Sequence, residues 1–204
     1  MVPRILYLGL TPPPGVIHYP VIRTEIIRGQ DLLRALAEWP QFSHVVFTSK
    51  TTVRYWFEIQ QKFDKIALAI GDATAKELRL QGVDPLIASD ATQEGMIELI
   101  ARHKPSYLFF PRSKCARSAL SDYLRREGIR FLGLDLYDTI LQRSGPPIDL
   151  SEIDEIVFTS PSTVRGFIAI YGALPKDKIL TSIGPVTQSA IERETKREQL
   201  DIIL

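Results

Sequence analysis

The chain is poor in the residues that carry the most recognisable chemistry. Its single cysteine, Cys115, excludes an internal disulfide and any CxxC metal or redox pair. With only His18, His44 and His103 besides, a His/Cys zinc site has too few ligands to be expected, and the metal expectation is none. Lysine and arginine (25) balance aspartate and glutamate (24), so overall charge gives no case for nucleic acid. The opening MVPRILYLGLTPPPG holds an apolar run too short for a signal peptide or a spanning helix. There is no GxGxxG, no GxxxxGK[ST] and no GxSxG, and no acidic pair has spacing that argues for glycosidase or metal work. These absences point to a reduced, cytoplasmic globular protein, without membrane or nucleic-acid partners, that acts by binding, shaping and proton handling.

What the chain does have is a repeat. VVFTSKTTVRYW (45–56) returns as IVFTSPSTVRGF (156–167), 111 positions later, and IALAIGDATAKEL (66–78) returns as ILTSIGPVTQSAI (179–191). A period of roughly 110 residues is too long for a solenoid and fits two similar lobes. Around the repeat, short β-rich runs alternate with helical stripes. Strands are expected at 4–10, 43–49, 66–71, 85–89, 106–111, 155–160, 178–184 and 201–204, and helices at 51–63, 73–82, 92–103, 114–128, 161–171 and 185–198. Such alternation predicts an α/β fold of two parallel-sheet lobes with helical crossovers.

Two extended, intermittently charged stretches, 19–29 and 131–145, break that rhythm and read as neighbouring connector strands in a two-stranded ladder. The chain would start in one lobe (1–18 with 146–204), cross, build the other (30–130) and cross back. A cleft between the lobes is the expected ligand site. Ligands of parallel sheets collect at strand carboxyl ends, beside helix N-termini. Those ends are Thr48-Ser49-Lys50, Gly71-Asp72-Ala73-Thr74, Arg112-Ser113-Lys114, Thr159-Ser160-Pro161 and Gly184-Pro185-Val186-Thr187. They are small, hydroxylated or basic, as suits a polyanion. Any one of the hydroxyls is accounted for as an ordinary helix cap; only their recurrence in both halves argues for a ligand.

Taken in order, FTSKTTV (47–53), IGDATAKEL (70–78), FFPRSKCARSALSDYLRREG (109–128), LYDT (136–139), FTSPSTV (158–164) and IGPVTQSAI (183–191) resemble the uroporphyrinogen-III synthase family, and PVIRTE (20–25) resembles its first crossover strand. The resemblance implies a cofactor-free enzyme of tetrapyrrole biosynthesis. Its substrate is hydroxymethylbilane, a linear tetrapyrrole with eight carboxylates. The bilane loses water to an azafulvene, inverts ring D through a spiro intermediate and closes. Transient hand-over from the bilane-forming deaminase is a further expectation.

By the same resemblance Tyr137 is the catalytic candidate, as proton or hydrogen-bond donor to the departing hydroxyl. Ser49, Thr74, Ser160 and Thr187 match small polar positions around the ligand, and Arg112, Ser113, Lys114 and Arg117 match a substrate-facing loop and helix start. Cys115 reads as a bystander, Trp39 and Trp56 as packing, and Lys50, Arg54 and Arg165 as surface charge.

The chain departs from the family twice. LTPPPGVIHYP (10–20), with three consecutive prolines, stands where the family has a helix, and DIIL (201–204) is followed by none. One lobe is therefore expected to be under-covered, with an apolar patch open to self-association. Two other classes fit parts of the pattern. A non-catalytic two-lobed tetrapyrrole-binding protein would be stabilised by ligand without turnover. A flavodoxin-like regulator would need an acidic phospho-acceptor cluster or a flavin loop, and neither is seen.

Overall fold

A computed structural model describes residues 3–201. The described residues form two compact units. One contains the chain up to Thr24 and from Thr139 onward, and the other is Glu25–Asp138.

The larger unit is built on strands whose apolar runs are buried on both faces. β4 (His44–Phe47), β5 (Ile66–Ala69), β6 (Leu86–Ile87) and β7 (Leu108–Ser113) pair in parallel, in the order β7-β4-β5-β6, and β8 (Phe131–Leu141) runs parallel to β7 on its other side. Side chains alternate across a strand, so Val45, Phe47 and Phe109 enter one core, with Trp39, Val53, Trp56 and Leu78. Val46, Leu108 and Phe110 enter a second core, with Met96, Ile100, Leu120 and Leu124. The first core carries α1 (Gln30–Glu38), α2 (Lys50–Ile59) and α3 (Asp72–Leu80), and the second carries α4 (Gln93–His103) and α5 (Ala119–Arg126). Two-sided burial is why β4, β5 and β7 read as unbroken apolar stretches rather than alternating ones.

The smaller unit has a four-stranded parallel sheet, ordered β10 (Ile179–Ser182), β9 (Glu155–Phe158), β1 (Ile5–Tyr7), β2 (Ile17–His18). Its core gathers Leu6, Leu8, Ile156, Phe158, Val164 and Phe167 under α6 (Pro161–Tyr171) and α7 (Pro185–Asp201). Ile5, Tyr7 and Val157, on the opposite side of β1 and β9, are only partly buried. Ile179 and Ile183 are 64% and 65% exposed. The triple proline leaves residues 8–16 irregular, and the chain returns to the sheet as β2, a two-residue strand too short to register as a periodic pattern. β3 (Ile22–Ile26) neighbours β8. Ile27 N–H donates to Leu136 O and Gln142 N–H to Val21 O, so one strand rises in number as the other falls, the antiparallel arrangement of a ladder. Both strands contain a boundary between the units, at 24/25 and 138/139.

Several expectations need correction. The helix expected over 114–128 begins only at Ala119, because residues 114–118 form a turn at the end of β7. The helix expected over 51–63 ends at Ile59, where Gln60 turns extended; Phe63 packs from the following loop. The strand expected at 201–204 conflicts with Asp201, the last described residue, which belongs to α7; residues 202–204 lie outside those described. α1 is absent from the expected helices although Leu32, Ala35, Leu36 and Trp39 recur at helical spacing; all four pack in or against the core.

Arg54 ties α2 to α3. Its Nε and Nη2 donate to Glu77 Oε1 and Oε2, each at 2.9 Å. That hydrogen bonding, and then the guanidinium charge, holds the Glu77 carboxyl below its ordinary 4.5 against the opposing effect of burial. A carboxylate whose folded value is depressed stabilises the fold above its unfolded value, and the contribution is lost as pH falls through the folded one. Glu77→Gln should cost about 1 kcal/mol at pH 7, modest because Arg54 is half exposed. In denaturant titrations the gap from the unaltered chain should close as pH drops below 4.5.

Candidate functional site

Where β4 leaves the sheet its apolar run stops at Phe47, and Thr48-Ser49 follow. Ser49 is extended (φ −159°, ψ 154°), and its Oγ accepts from Thr52 N–H at 3.1 Å, capping α2. Thr92 does the same for α4, accepting from Gly95 N–H at 3.1 Å. The two helix starts, the end of β5 at Ile70, the turn after β7 and Tyr137 on β8 surround one pocket of about 420 Å³. All of it belongs to the larger unit. Its hydroxyls come from Thr48, Ser49, Thr92, Ser113 and Tyr137, its cation from Arg117 and its one carboxylate from Glu94 in the first turn of α4. The unpaired N–H groups and positive dipole ends of α2 and α4 make the mouth favourable to carboxylates.

Tyr137 is buried, at 7% exposure. Its ring lies 5.5 Å from that of Tyr55, and its phenolic oxygen is 3.3 Å from Ser49 Oγ. Lys114 N–H donates to the Tyr137 carbonyl at 2.9 Å, so the turn that carries Cys115 and Arg117 is fastened to the strand that carries the phenol. Gln93 also lines the pocket, and its Oε1 is buried with no hydrogen-bond partner among the described residues. An orphaned buried acceptor is uncommon and asks for a donor from outside the chain.

The structure brings Ser49, Ser113 and Tyr137 together, with Arg117. It does not bring Arg112 there. The Arg112 guanidinium donates to Asp135 Oδ1 at 2.9 Å and Ser121 Oγ at 2.6 Å, binding β7 to β8 and α5. The β7–β8 register shifts between Arg112 and Ser113, and of the two only Ser113 lines the pocket. Lys114 Nζ pairs with Asp138 at 3.1 Å and lines a separate hollow with Asp31 and Asp135. Thr74 is buried in the first turn of α3 and is not among the pocket residues. Ser160 and Thr187 belong to the other unit. Ser160 caps α6 through a full capping box, and Thr187 is buried at the start of α7. Cys115, read as a bystander, is an exposed free thiol at the pocket wall. Thr92 and Gln93 were legible only as a helix start; nothing in their spacing announces a site.

Among the described residues, no group of three or more His, Cys, Asp or Glu side chains could hold a metal ion. No described helix is long and apolar enough to cross a membrane.

A family model described as uroporphyrinogen-III synthase HemD matches residues 15–199. The chain belongs to the uroporphyrinogen-III synthase family. A Methanothermobacter thermautotrophicus protein, provisionally named uroporphyrinogen-III synthase, is 27% identical over 83% of this chain and 74% of its own length. The porphyrin biosynthesis protein HemD of Ruminiclostridium josui is 25% identical over 97% of this chain, which spans 42% of that longer protein. Among solved structures, the uroporphyrinogen-III synthetase of Helicobacter pylori aligns with a TM-score of 0.70 at 19% identity, covering 95% of this chain and 90% of its own. A mutant uroporphyrinogen III synthase of the extreme thermophile Thermus thermophilus aligns at 0.65 and 20%, with the same coverage. These structural likenesses establish the shared α/β fold.

Gly95, in the first turn of α4, has no room for a side chain. A Cβ there would collide with the Asp90 carbonyl oxygen, part of the loop that delivers Thr92 and Gln93. Alanine in a helix normally stabilises relative to glycine. Here Gly95→Ala should instead destabilise by about 1–3 kcal/mol, because backbone must move. Thermal unfolding would show the reversed sign.

Proposed function

We propose that this chain closes hydroxymethylbilane to uroporphyrinogen III, and that the pocket of the larger unit holds the reacting end of the bilane with Tyr137 as donor to its departing hydroxyl. The observation that carries the assignment is the placement of the Tyr137 phenol among serine hydroxyls and beside Arg117, at the carboxyl ends of parallel strands. Membership of the family supplies the reaction class.

The bilane is reactive by itself and closes without inversion to the type I ring. The protein's task is therefore to hold a conformation and assist one departure. In our reading the helix starts at Ser49 and Thr92, with Arg117, take side-chain carboxylates. The orphaned Gln93 Oε1 accepts a pyrrole N–H. The phenol of Tyr137 donates to the terminal hydroxyl as its C–O bond breaks, so that water leaves and the pyrrole nitrogen's electron pair forms the azafulvene. The proton lent is balanced by the one released when the attacking pyrrole carbon regains aromaticity. Phenols are weak acids in general, so position contributes more than acidity.

Freshly made bilane, incubated with the protein, oxidised and resolved into porphyrin isomers, tests this. An excess of type III is expected. Tyr137→Phe should lower kcat about 100-fold, and Arg117→Ala should raise KM about tenfold with a smaller effect on kcat. Only type I product from a folded chain overturns the enzyme reading and leaves a tetrapyrrole-binding protein. A companion proposal is self-association through the part-exposed sheet face of the smaller unit. Sedimentation showing a monomer across the accessible concentration range would overturn it.

A further inference from the structure

The two copies of the FTSxxT motif make different use of the same threonine. In the smaller unit Thr163 Oγ1 accepts from Thr159 N–H (3.1 Å) and Ser160 N–H (3.2 Å) and donates to Ser160 O (2.7 Å), so its hydroxyl is wholly engaged by backbone. In the larger unit the matching Thr52 has turned its hydroxyl elsewhere. Its Oγ1 lies 2.8 Å from Ser49 Oγ, and no other hydrogen-bond partner is found for it among the described residues. Thr52 is fully buried.

Counting protons gives this chain a direction. A hydroxyl has one proton and two acceptor lone pairs. Burying the Thr52 proton without an acceptor is costly, and Ser49 Oγ is the acceptor within reach. Ser49 Oγ already accepts from Thr52 N–H. Accepting from Thr52 Oγ1 as well fills both of its lone pairs. Its own proton is then left to donate, and the remaining partner is the Tyr137 oxygen at 3.3 Å. That distance is long for the free chain and of the kind that shortens when a ligand is held. A phenol oxygen that accepts from Ser49 keeps its own proton for something else, and Tyr137 lines the pocket.

We infer that Thr52 is a positioning residue that sets the direction of the hydrogen-bond chain Thr52 to Ser49 to Tyr137, so that the phenol presents its proton to the substrate. This rests on the reading of Tyr137 as the donor. Without the Thr52 hydroxyl, Ser49 regains a lone pair, and the phenol proton is drawn back to it. No contact between Thr52 and substrate is required.

Thr52→Val keeps the shape and removes the hydroxyl. It should lower kcat for type III product about tenfold with KM within twofold, and Thr52→Ser should restore it. In a Tyr137→Phe background Thr52→Val should change kcat no further, because the proton it directs is gone. Thr52→Ala, which removes the hydroxyl without placing a second methyl, is the variant to use if valine prevents folding, and the same pattern is expected. If Tyr137→Phe lowers kcat but Thr52→Val does not, or if the two losses simply multiply, the relay is overturned and the role of Tyr137 stands. If Tyr137→Phe is itself without effect, both are overturned.

Discussion

The larger unit depends on one constraint: β4 is buried on both faces, so past His44, the buried polar residue that opens it, its side chains are all apolar. Val45 and Phe47 fill one core and Val46 the other. The first hydroxylated residue therefore marks the place where the chain must leave the sheet. The helix that follows needs a cap at that same place, and Ser49 provides it. Strand termination, helix initiation and the pocket wall are one event in the sequence. The parallel register of β5, β7 and β8 with β4 brings their ends to the same side of the sheet, and the pocket is the result.

The duplicated motif shows how little separates a structural cap from a candidate chemical group. In the smaller unit the Thr163 hydroxyl donates to Ser160 O and accepts from Thr159 and Ser160 N–H, so it does not bond the Ser160 hydroxyl. Ser49 and Thr52 carry the same residue types at the same spacing, yet their hydroxyls bond each other and reach Tyr137. The tyrosine comes from β8, 88 positions further on. The local motif is indifferent to which role it takes; the neighbouring strand decides.

Much of the fold was legible because it rests on local signals. α6, expected over 161–171, is found at Pro161–Tyr171, between a cap at Ser160 and Gly172. α4 opened at Thr92 for the same reason. Elements without such signals were lost. β2 has two residues, and α1 follows Gly29, which offers no side-chain cap. α5 was drawn too long because residues 114–118 are compatible with a helix. Only the ties of the turn, such as Lys114 N–H to Tyr137 O, keep them out of it. For the pocket, Ser49, Ser113 and Tyr137 followed from strand ends and the family's motifs. Arg112 did not belong with them, because Asp135 on β8 and Ser121 on α5 hold its guanidinium.

The sequence by itself determined the duplication, the α/β class, the helix caps and the family, since each is written in short-range periodicity or in ordered motifs. Only the tertiary structure decided which hydroxyls share a pocket, which cations are held by carboxylates instead, and that Thr52 and Thr163 do different things. Those are outcomes of register and side-chain direction between strands far apart in the chain, and a linear pattern does not encode the partner across the gap.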